Sequence, residues 1–268
     1  MKILLLGDIM GPSGREAIYN KLPNLIKEKN INFVIANGEN ADDTGVGITE
    51  TICLKLFDSG VNVITSGNHI WDQKSIINFI SRDKRLLRPN NFFEGTPGNG
   101  FGIYNIDNKK IAVLNLMGNI FMKKSDDMFE ASKLFMKKIK LKEDADFIVV
   151  DVHGEITSEK NALGHFLDGR VTAVVGTHTH IPTYDFRILK KGTAYQTDIG
   201  MCGDYDSVIG MNKENSIKKF LKDKSATKHF PALGSGTMSG LLVEADVSTG
   251  LAKKISPIFV GGVLDRQF

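Results

Sequence analysis

Two histidines separated by one residue follow a short apolar run in the second half of the chain. The run covers residues 171–175, and its β-branched residues predict a buried strand. Gly176-Thr177-His178-Thr179-His180 comes next. Neutral imidazole is a favoured metal ligand, and a strand end can bring two such rings together. Ordinary hydrogen-bonded side chains also occur in this pattern, so a metal site requires partners from elsewhere in the chain.

Four other predicted strands end in residue types that suit such partners. The strands lie at residues 2–6, 33–36, 61–65 and 147–151. The residues at or just beyond their ends are Asp8, Glu39, Asn40, Asn68, His69 and His153. The carboxyl ends of strands in an open α/β sheet share one edge, where ligand crevices form. Packing alone would scatter polar side chains over both ends, so we expect one polar site at this edge.

The number of ligand-type residues indicates two metals. The set comprises Asp8, Glu39, Asn40, Asn68, His153, His178 and His180. One metal rarely takes that many mixed nitrogen and oxygen ligands, whereas two metals sharing a bridging carboxylate do. No cysteine belongs to the set, which disfavours a structural zinc. Imidazole with oxygen suits manganese, iron or zinc in an open, reactive site.

The first strand leads into a glycine-rich turn, which raises the alternative of a dinucleotide-binding motif. Gly7, Gly11 and Gly14 do not have the G-x-G-x-x-G spacing. A carboxylate at Asp8 would also repel a pyrophosphate, so a cation suits this turn better.

The remaining pattern predicts an α/β fold of one domain over residues 1–268. Helices are predicted over residues 15–29, 49–59, 72–80, 125–141, 158–167 and 213–222, the first kinked or broken at Pro23. Asp72 is predicted to cap its helix, and Phe129, Leu134 and Phe135 to pack in the core. A hairpin is predicted from residues 102–106 and 110–116, turned at Asp107-Asn108, with later strands at residues 193–197, 240–246 and 253–258. Mixed parallel and antiparallel pairs predict helices covering either two packed sheets or one mixed sheet.

Composition favours a cytoplasmic globular protein without a membrane segment. The 268 residues are 41% apolar and 24% charged, with a net charge of +3. The apolar opening is too short for a signal peptide, and no run approaches the ~18 residues of a membrane span. Cys53 and Cys202 form no C-x-x-C motif. Lysines cluster near residues 137–142 and 218–224, where solvated helix faces are favoured over nucleic-acid binding.

The motifs resemble those of the calcineurin-like metallophosphoesterase superfamily, and more closely its YmdB-like phosphodiesterase branch. The matching pieces are Gly7-Asp8-Ile9-Met10-Gly11, Asn37-Gly38-Glu39-Asn40, Gly67-Asn68-His69, His153-Gly154-Glu155 and Gly176-Thr177-His178-Thr179-His180. They occur in the family's order and cover most of the chain. The resemblance implies a four-layer sandwich of two mixed β-sheets flanked by helices, and a homo-oligomer.

The resemblance also implies which residues hold each metal. One metal would be bound by Asp8, Glu39, Asn40 and His180, and the second by Glu39, Asn68, His153 and His178, with Glu39 bridging. Iron or manganese is expected, with zinc as an alternative. Met10 stands where the wider superfamily has a histidine ligand, and Asn40 takes its place. Ile70 follows His69 where many relatives have an acid, so Asp72 or a backbone carbonyl is expected to orient the His69 ring.

The expected chemistry is hydrolysis of a phosphodiester. Two divalent ions, two carboxylates and a bridging hydroxide leave a net charge of about +1, which suits a diester monoanion. In-line attack by the hydroxide, with His69 as general acid, completes the mechanism. The family implies cyclic nucleotides, including 2′,3′-cyclic ones. Alternatives are a phosphomonoesterase, a metal-assisted hydrolase of another bond, and a nucleotide- or RNA-binding regulatory protein with low turnover.

The residues that contact the substrate are not identified by the motifs. The loops at residues 44–47 and 200–207 are candidates for the pocket border. Glu155 and Asp198 are candidates for supporting the ligands from behind. His165 and His229 are expected to be surface or packing residues.

Overall fold

The computed structural model describes residues 1–264, so the last four residues of the domain predicted over 1–268 lie outside the described residues. The strands are β1 Lys2–Ile9, β2 Phe33–Asn37, β3 Val63–Thr65, β4 Phe101–Ile106, β5 Lys109–Met117, β6 Phe147–His153, β7 Ala173–Thr177, β8 Arg187–Ile188, β9 Ala194–Gln196, β10 Met201–Cys202, β11 Met238–Ala245 and β12 Ala252–Val260. The helices are α1 Gly11–Lys29, α2 Glu50–Asp58, α3 Ile76–Arg82, α4 Met128–Lys138, α5 Thr157–Leu167 and α6 Lys213–Phe220.

The strands form two mixed sheets. The first has the order β12-β11-β1-β2-β3, with the short β10 also paired to β1. The second has the order β4-β5-β6-β7-β9-β8. In the first sheet β1, β2 and β3 are parallel and β11 and β12 add antiparallel on the other side of β1. In the second sheet β5, β6, β7 and β9 are parallel, and the edge strands β4 and β8 are antiparallel. The parallel strands therefore bring their carboxyl ends to shared edges.

Alternating side chains along the strands divide the core into three apolar clusters. In β1, Leu4 and Leu6 face α1 and α2, whereas Ile3 and Leu5 face the second sheet. In β6, Ile148 and Val150 face α4 and α5 in the third cluster. Three clusters imply four layers, helix–sheet–sheet–helix. The prediction of two mixed sheets flanked by helices is thus confirmed, and the single mixed sheet is excluded.

The structure corrects three local predictions. Helix α1 begins at Gly11 and continues through Pro23, because Leu22 and Leu25 on either side of the proline are buried in the first cluster. Leu134 is exposed, since the inward face of α4 is formed by residues three and four apart, Met128, Ala131 and Phe135.

The third correction concerns Asp72, which does not cap a helix. Helix α3 starts later, at Ile76, with Ser75 in the cap position. Residues 68–75 form turns, and the Asp72 carboxylate bonds to the side chain of His69. A helix is replaced by a turn that places a carboxylate beside an imidazole.

The predicted hairpin is confirmed. Strands β4 and β5 pair antiparallel and are joined at Asp107 and Asn108, with φ values of 49° and 59°. Two consecutive residues in the left-handed conformation match the right-handed twist of the strands. Apart from glycine, Asp and Asn are the residue types that tolerate this conformation best. No helix within residues 1–264 has the length and apolar character needed to cross a membrane.

Candidate metal centre

The predicted ligands converge where the two sheets present the carboxyl ends of their parallel strands. Asp8 lies in β1, Glu39 and Asn40 follow β2, and Asn68 follows β3 in the first sheet. His153 ends β6, and His178 and His180 follow β7 in the second sheet. Asp8, Glu39 and His153 are fully buried or nearly so. Polar groups buried this deeply require partners, which the surrounding network supplies only in part.

Glu39, His153 and His178 form the tightest cluster. The Nε2 atom of His153 lies 2.8 Å from Oε1 of Glu39 and 3.0 Å from Nδ1 of His178. Ligand atoms of the three residues all lie within 4.8 Å of one another. The Nε2 atom of His178 is 3.2 Å from the Glu155 carboxylate, which favours a proton on Nε2 and a lone pair on Nδ1. Glu155 thus lies behind one of the predicted ligands.

A buried network behind His153 sets the orientation of its ring. The Thr177 hydroxyl donates to the Asp151 carboxylate at 2.8 Å, so it accepts from Nδ1 of His153 at 3.0 Å. Asp151 also accepts from Thr65 at 2.5 Å and from the Asn37 amide at 3.3 Å. With a proton on Nδ1, Nε2 is directed at Glu39 and His178 and can hold either a second proton or a cation. Three potential ligand atoms therefore face one point.

His180 and Asn40 repeat this arrangement on the opposite side. Nδ1 of His180 lies 2.8 Å from the carbonyl of Ile209, which can only accept, so Nδ1 carries the proton. The Asn40 amide donates to the Gly45 carbonyl at 2.9 Å. The Nε2 lone pair of neutral His180 therefore faces Oδ1 of Asn40 at 3.3 Å. Two lone pairs so close are stable only with a proton or a cation between them.

Two buried acceptors in the same place have no hydrogen-bond partner. Oδ1 of Asp8 is unpaired, although Oδ2 accepts the backbone N–H of His178 at 2.9 Å. Oδ1 of Asn68 is also unpaired. Leaving such atoms buried and unsatisfied costs about 1–3 kcal/mol each. These orphaned oxygens and the converging nitrogens fit divalent cations, whose preferred ligands are of these two types.

Protonation in the cluster follows burial and charge. Burial raises the pKa of Asp8 to about 6. Burial acts in the same direction on Glu39, but the neighbouring His153 outweighs it and holds the pKa of Glu39 at about 2. Burial alone would lower the pKa of His153, whereas Glu39 raises that pKa to about 9. Burial lowers the pKa of His178 to about 3, which keeps that ring neutral. A proton held between Glu39 and His153 is the charge that a cation would replace.

His69 lies at the rim of the cluster. Its backbone N–H donates to Oε2 of Glu39 at 3.0 Å. Nδ1 of the ring is 2.7 Å from Oδ2 of Asp72, and both side chains are about one-third exposed, at 31% and 34%. The expectation that Asp72 orients this ring is confirmed. Nε2 of His69 remains free to face a bound molecule.

The loop that carries His178 and His180 is held in a strained conformation. The two residues have φ values of 101° and 65°, in the left-handed region that non-glycine residues seldom adopt. Asp198 accepts the backbone N–H of Thr179 at 3.1 Å and pairs with the fully buried Lys160 at 3.0 Å. Lys160 also donates to the carbonyl of Thr177 at 3.2 Å. The buried ion pair thus clamps both sides of His178, and Asp198 has the supporting place predicted for it.

Breaking this clamp should destabilise the protein strongly. We expect Lys160→Met to lower the free energy of unfolding by about 3–5 kcal/mol, because it leaves Asp198 as an unpaired buried carboxylate. Denaturant unfolding of the variant beside the wild type measures this loss. The double variant Lys160→Met/Asp198→Asn should recover part of it. Equal stability of Lys160→Met and wild type would show that the ion pair between Lys160 and Asp198 does not stabilise the fold.

Close packing explains the glycines that precede the ligands. A Cβ atom on Gly67 would lie 2.0 Å from the His153 ring, and one on Gly176 would lie 1.8 Å from the Thr197 carbonyl oxygen. A side chain at either position must displace a ligand or its support. The strands can approach each other at the site only because these residues have no side chain.

Gly67→Ala should therefore damage the site more than the fold. We expect metal affinity to fall about 10–100-fold, the usual effect of displacing the groups that orient a ligand. Metal titration followed by calorimetry measures the affinity, and circular dichroism checks the fold. Gly95→Ala is the control for backbone effects away from the site: its φ of 82° strains a side chain, but a Cβ there meets nothing within 4 Å. Unchanged affinity in Gly67→Ala would contradict the packing at His153.

Several supporting residues were missed by the sequence reasoning. Asn37, Asp151, Lys160 and Thr177 are buried and bonded around the ligands. A signal exists for Asp151, the one polar residue before His153 in an otherwise apolar strand. Lys160 has no such signal, because a helical lysine is normally exposed. His165 and His229 are exposed, as predicted.

Two packed mixed sheets with a ligand-rich edge define the protein as an enzyme with the calcineurin-like phosphoesterase fold. The model of the YmdB-like protein family matches residues 4–258. The chain is 45% identical over 261 residues to the 2′,3′-cyclic-nucleotide 2′-phosphodiesterase of Bacillus subtilis, covering 97% of both chains. The chain therefore belongs to the YmdB-like family.

Solved structures agree with this assignment. A protein from Thermus thermophilus, described as hypothetical, superposes with a TM-score of 0.89 at 38% identity, covering 98% of this chain and 100% of that one. A protein from Mycoplasma pneumoniae, described as a novel phosphatase, superposes with a TM-score of 0.89 at 36% identity, covering 97% of this chain and 93% of that one. Both matches extend over nearly the whole fold.

Proposed function

We propose that the site binds two metal ions and hydrolyses phosphodiesters. One ion would be held by Asp8, Glu39, Asn40 and His180, and the other by Glu39, Asn68, His153 and His178, with Glu39 bridging. The observation that carries this proposal is the convergence of imidazole nitrogens with carboxylate and amide oxygens in a buried place. Both sheets contribute ligands, which supports a single working domain over residues 1–268.

The proposed substrates are cyclic nucleotides, with 2′,3′-cyclic nucleotides first. The Bacillus subtilis relative is named for this activity and aligns along almost the entire chain. Iron or manganese is the proposed metal, with zinc as an alternative, since the ligands are imidazoles, carboxylates and amide oxygens. Bound metals would supply Lewis acidity, lowering the pKa of a water ligand and neutralising charge on the phosphate.

The protein's own groups supply the remaining functions. The carboxylates of Asp8 and Glu39 leave a site with two divalent ions net positive, which favours an anionic diester. His69 is the proposed general acid for the leaving oxygen, because its ring lies at the rim and Asp72 fixes its Nδ1. Since Nδ1 donates to Asp72, the proton given to the leaving oxygen would be the second proton of the imidazolium, on Nε2.

The wider context of the activity stays a prediction. We propose a cytoplasmic location, a homo-oligomeric state and a small phosphodiester as the partner. The competing function is a nucleotide- or RNA-binding regulator with low turnover. A phosphomonoesterase on the same metals is the other alternative.

The decisive experiment compares substrates and metals in one preparation. Protein purified without chelator is supplied with manganese, iron or zinc and assayed on a 2′,3′-cyclic nucleotide, bis-para-nitrophenyl phosphate and the monoester. We expect turnover of the diesters to exceed that of the monoester and to disappear with chelator. Protein shown to carry two metals but lacking turnover would overturn the proposal in favour of the regulator, and faster monoester turnover would favour the phosphomonoesterase.

A further inference from the structure

A loop between β5 and α4 crosses the edge where the ligand residues converge. Its first residue, Gly118, donates its backbone N–H to the His153 carbonyl at 2.9 Å. The next two backbone N–H groups, of Asn119 and Ile120, donate to the buried Glu159 carboxylate at 2.8 Å and 3.4 Å. We call residues 118–124 the rim loop. It starts at one ligand-bearing strand and is fixed there by three hydrogen bonds.

The other end of the rim loop reaches a different ligand. Nζ of Lys123 donates to the backbone carbonyl of Asn68 at 2.5 Å and lies 3.8 Å from Oδ1 of Asp72. Asp72 is the residue that orients His69. An ammonium group has three protons, so these two acceptors leave at least one proton for another anion. Lys123 thus places a positive charge beside the proposed general acid, whereas the ligand motifs themselves contain no Lys or Arg.

The middle of the rim loop presents an exposed aromatic ring. Phe121 is 84% exposed and has a φ of 59°, an uncommon conformation for a bulky residue. Its neighbour Ile120 is also exposed. Tyr184, another highly exposed ring, packs edge-to-face against Phe186. Phe121 therefore offers an open apolar face next to a site built for charge.

The ring and the ammonium group suit the two chemically different ends of a nucleotide. Phe121 and Lys123 are separated by one residue, so their Cα atoms are at most about 7 Å apart. Aromatic side chains stack on nucleobases, and lysine contacts phosphate as a point charge. An apolar face and a cation on one loop recognise a molecule that combines an aromatic ring with a phosphate.

We propose that the rim loop binds the nucleoside phosphate, with Phe121 stacking on the base and Lys123 contacting the phosphate. The inference rests on the proposed phosphodiesterase function, which it deepens. It assigns substrate-binding residues where the motifs identify none. It also predicts that the two residues serve different parts of the substrate, and that difference is measurable.

The test uses two substrates that differ only in the base. Adenosine 2′,3′-cyclic phosphate is compared with methyl riboside 2′,3′-cyclic phosphate, the same diester without a base. Phe121→Ala should raise KM for the adenosine substrate about tenfold, the usual effect of losing a stacking partner, and leave KM for the riboside within about twofold. Phe121→Trp should retain tight binding. An equal change with both substrates, or none, would overturn the stacking role.

Lys123 is tested by the opposite pattern. Lys123→Met should lower kcat/KM about tenfold for both substrates alike, because the phosphate is common to them. Lys124→Met is the matched control, since Lys124 is the adjacent exposed lysine. Metal content is measured for each variant. Loss of metal in Lys123→Met would assign the lysine to support of Asn68 and overturn its phosphate contact, as would unchanged kcat/KM.

Failure of the proposed function has a separate signature. If the wild type with two bound metals hydrolyses neither cyclic phosphate, the phosphodiesterase proposal fails whatever the variants do. If the wild type hydrolyses both and Phe121→Ala behaves as wild type, the activity stands and the rim loop is excluded as the base-binding element.

Discussion

Replacing Glu39 with Gln should remove metal from the protein and abolish its activity. The carboxylate is fully buried, with Oε1 at 2.8 Å from His153 and Oε2 accepting the backbone N–H of His69 at 3.0 Å. Gln keeps the shape but loses the charge, and its amide must turn a donor towards one of these two groups. If the NH₂ group faces His153, the amide donor meets the protonated imidazole ring. If it faces His69, the amide donor meets the backbone N–H, which is also a donor.

The size of the effect follows from what a bridging carboxylate does. Its loss weakens both sites at once, so we expect fewer than two metals per chain and a fall in kcat/KM of at least about 10³-fold. Elemental analysis after dialysis and diester turnover measure the two quantities, with circular dichroism to confirm the fold. Glu155→Gln is the graded control, because Glu155 contacts only the outer nitrogen of His178. The kcat/KM of that variant should fall by no more than about 10–100-fold. Full metal content in Glu39→Gln would contradict the bridging role.

The strands that bear the ligands were predictable because apolar runs end abruptly in polar residues. Residues 147–153 illustrate this, since a buried parallel strand is apolar on both faces until it emerges at the edge of the sheet. The division into two sheets was not predictable by the same argument. Strand β1 pairs on one side with β11, from Lys2 against Glu244 onward, across most of the chain. No local pattern near residue 2 encodes that partner.

The convergence of the proposed ligands was more predictable than the groups that hold them. A ligand stands at a strand end beside a glycine, as Asn68 does after Gly67, and both features are visible in the sequence. The clamp formed by Lys160 and Asp198 depends on which face of α5 meets the loop after β7, and that is decided by tertiary packing. Likewise, Lys123 reaches Asn68 only because its loop folds back over the sheet edge. Charged residues of this kind look like ordinary surface residues in a sequence.

The helix errors have a common physical origin. Pro23 costs a hydrogen bond inside α1, but burial of Leu22 and Leu25 on the first sheet offsets that cost. Asp72 has the composition of a helix cap, yet its carboxylate is used to bind His69. Packing outweighed the local helix propensity at Pro23, and the contact with His69 outweighed it at Asp72.

Replacing His69 with Ala should slow the reaction without removing metal. His69 bonds to Glu39 through its backbone N–H, an interaction that Ala retains, whereas its imidazole bonds to Asp72 at the rim. We therefore expect full metal content in His69→Ala. Turnover of a 2′,3′-cyclic nucleotide should fall about 10²–10⁴-fold, the usual contribution of a general acid. The turnover of Asp72→Asn should fall less, because this variant loses the orientation of the His69 ring but keeps the proton on that ring.

The dependence on the leaving group separates this role from any other role of His69. A ribose alkoxide needs a proton as it departs, whereas para-nitrophenolate is stable without one. Turnover of bis-para-nitrophenyl phosphate by His69→Ala should therefore fall less than about tenfold, whereas turnover of the cyclic nucleotide should fall at least about 10²-fold. Equal losses on both substrates would mean that His69 binds the phosphate instead of protonating the leaving group. Because Asp72 contacts Nδ1 at 2.7 Å, the proton that is transferred must come from Nε2, and the leaving oxygen must lie on that side of the ring.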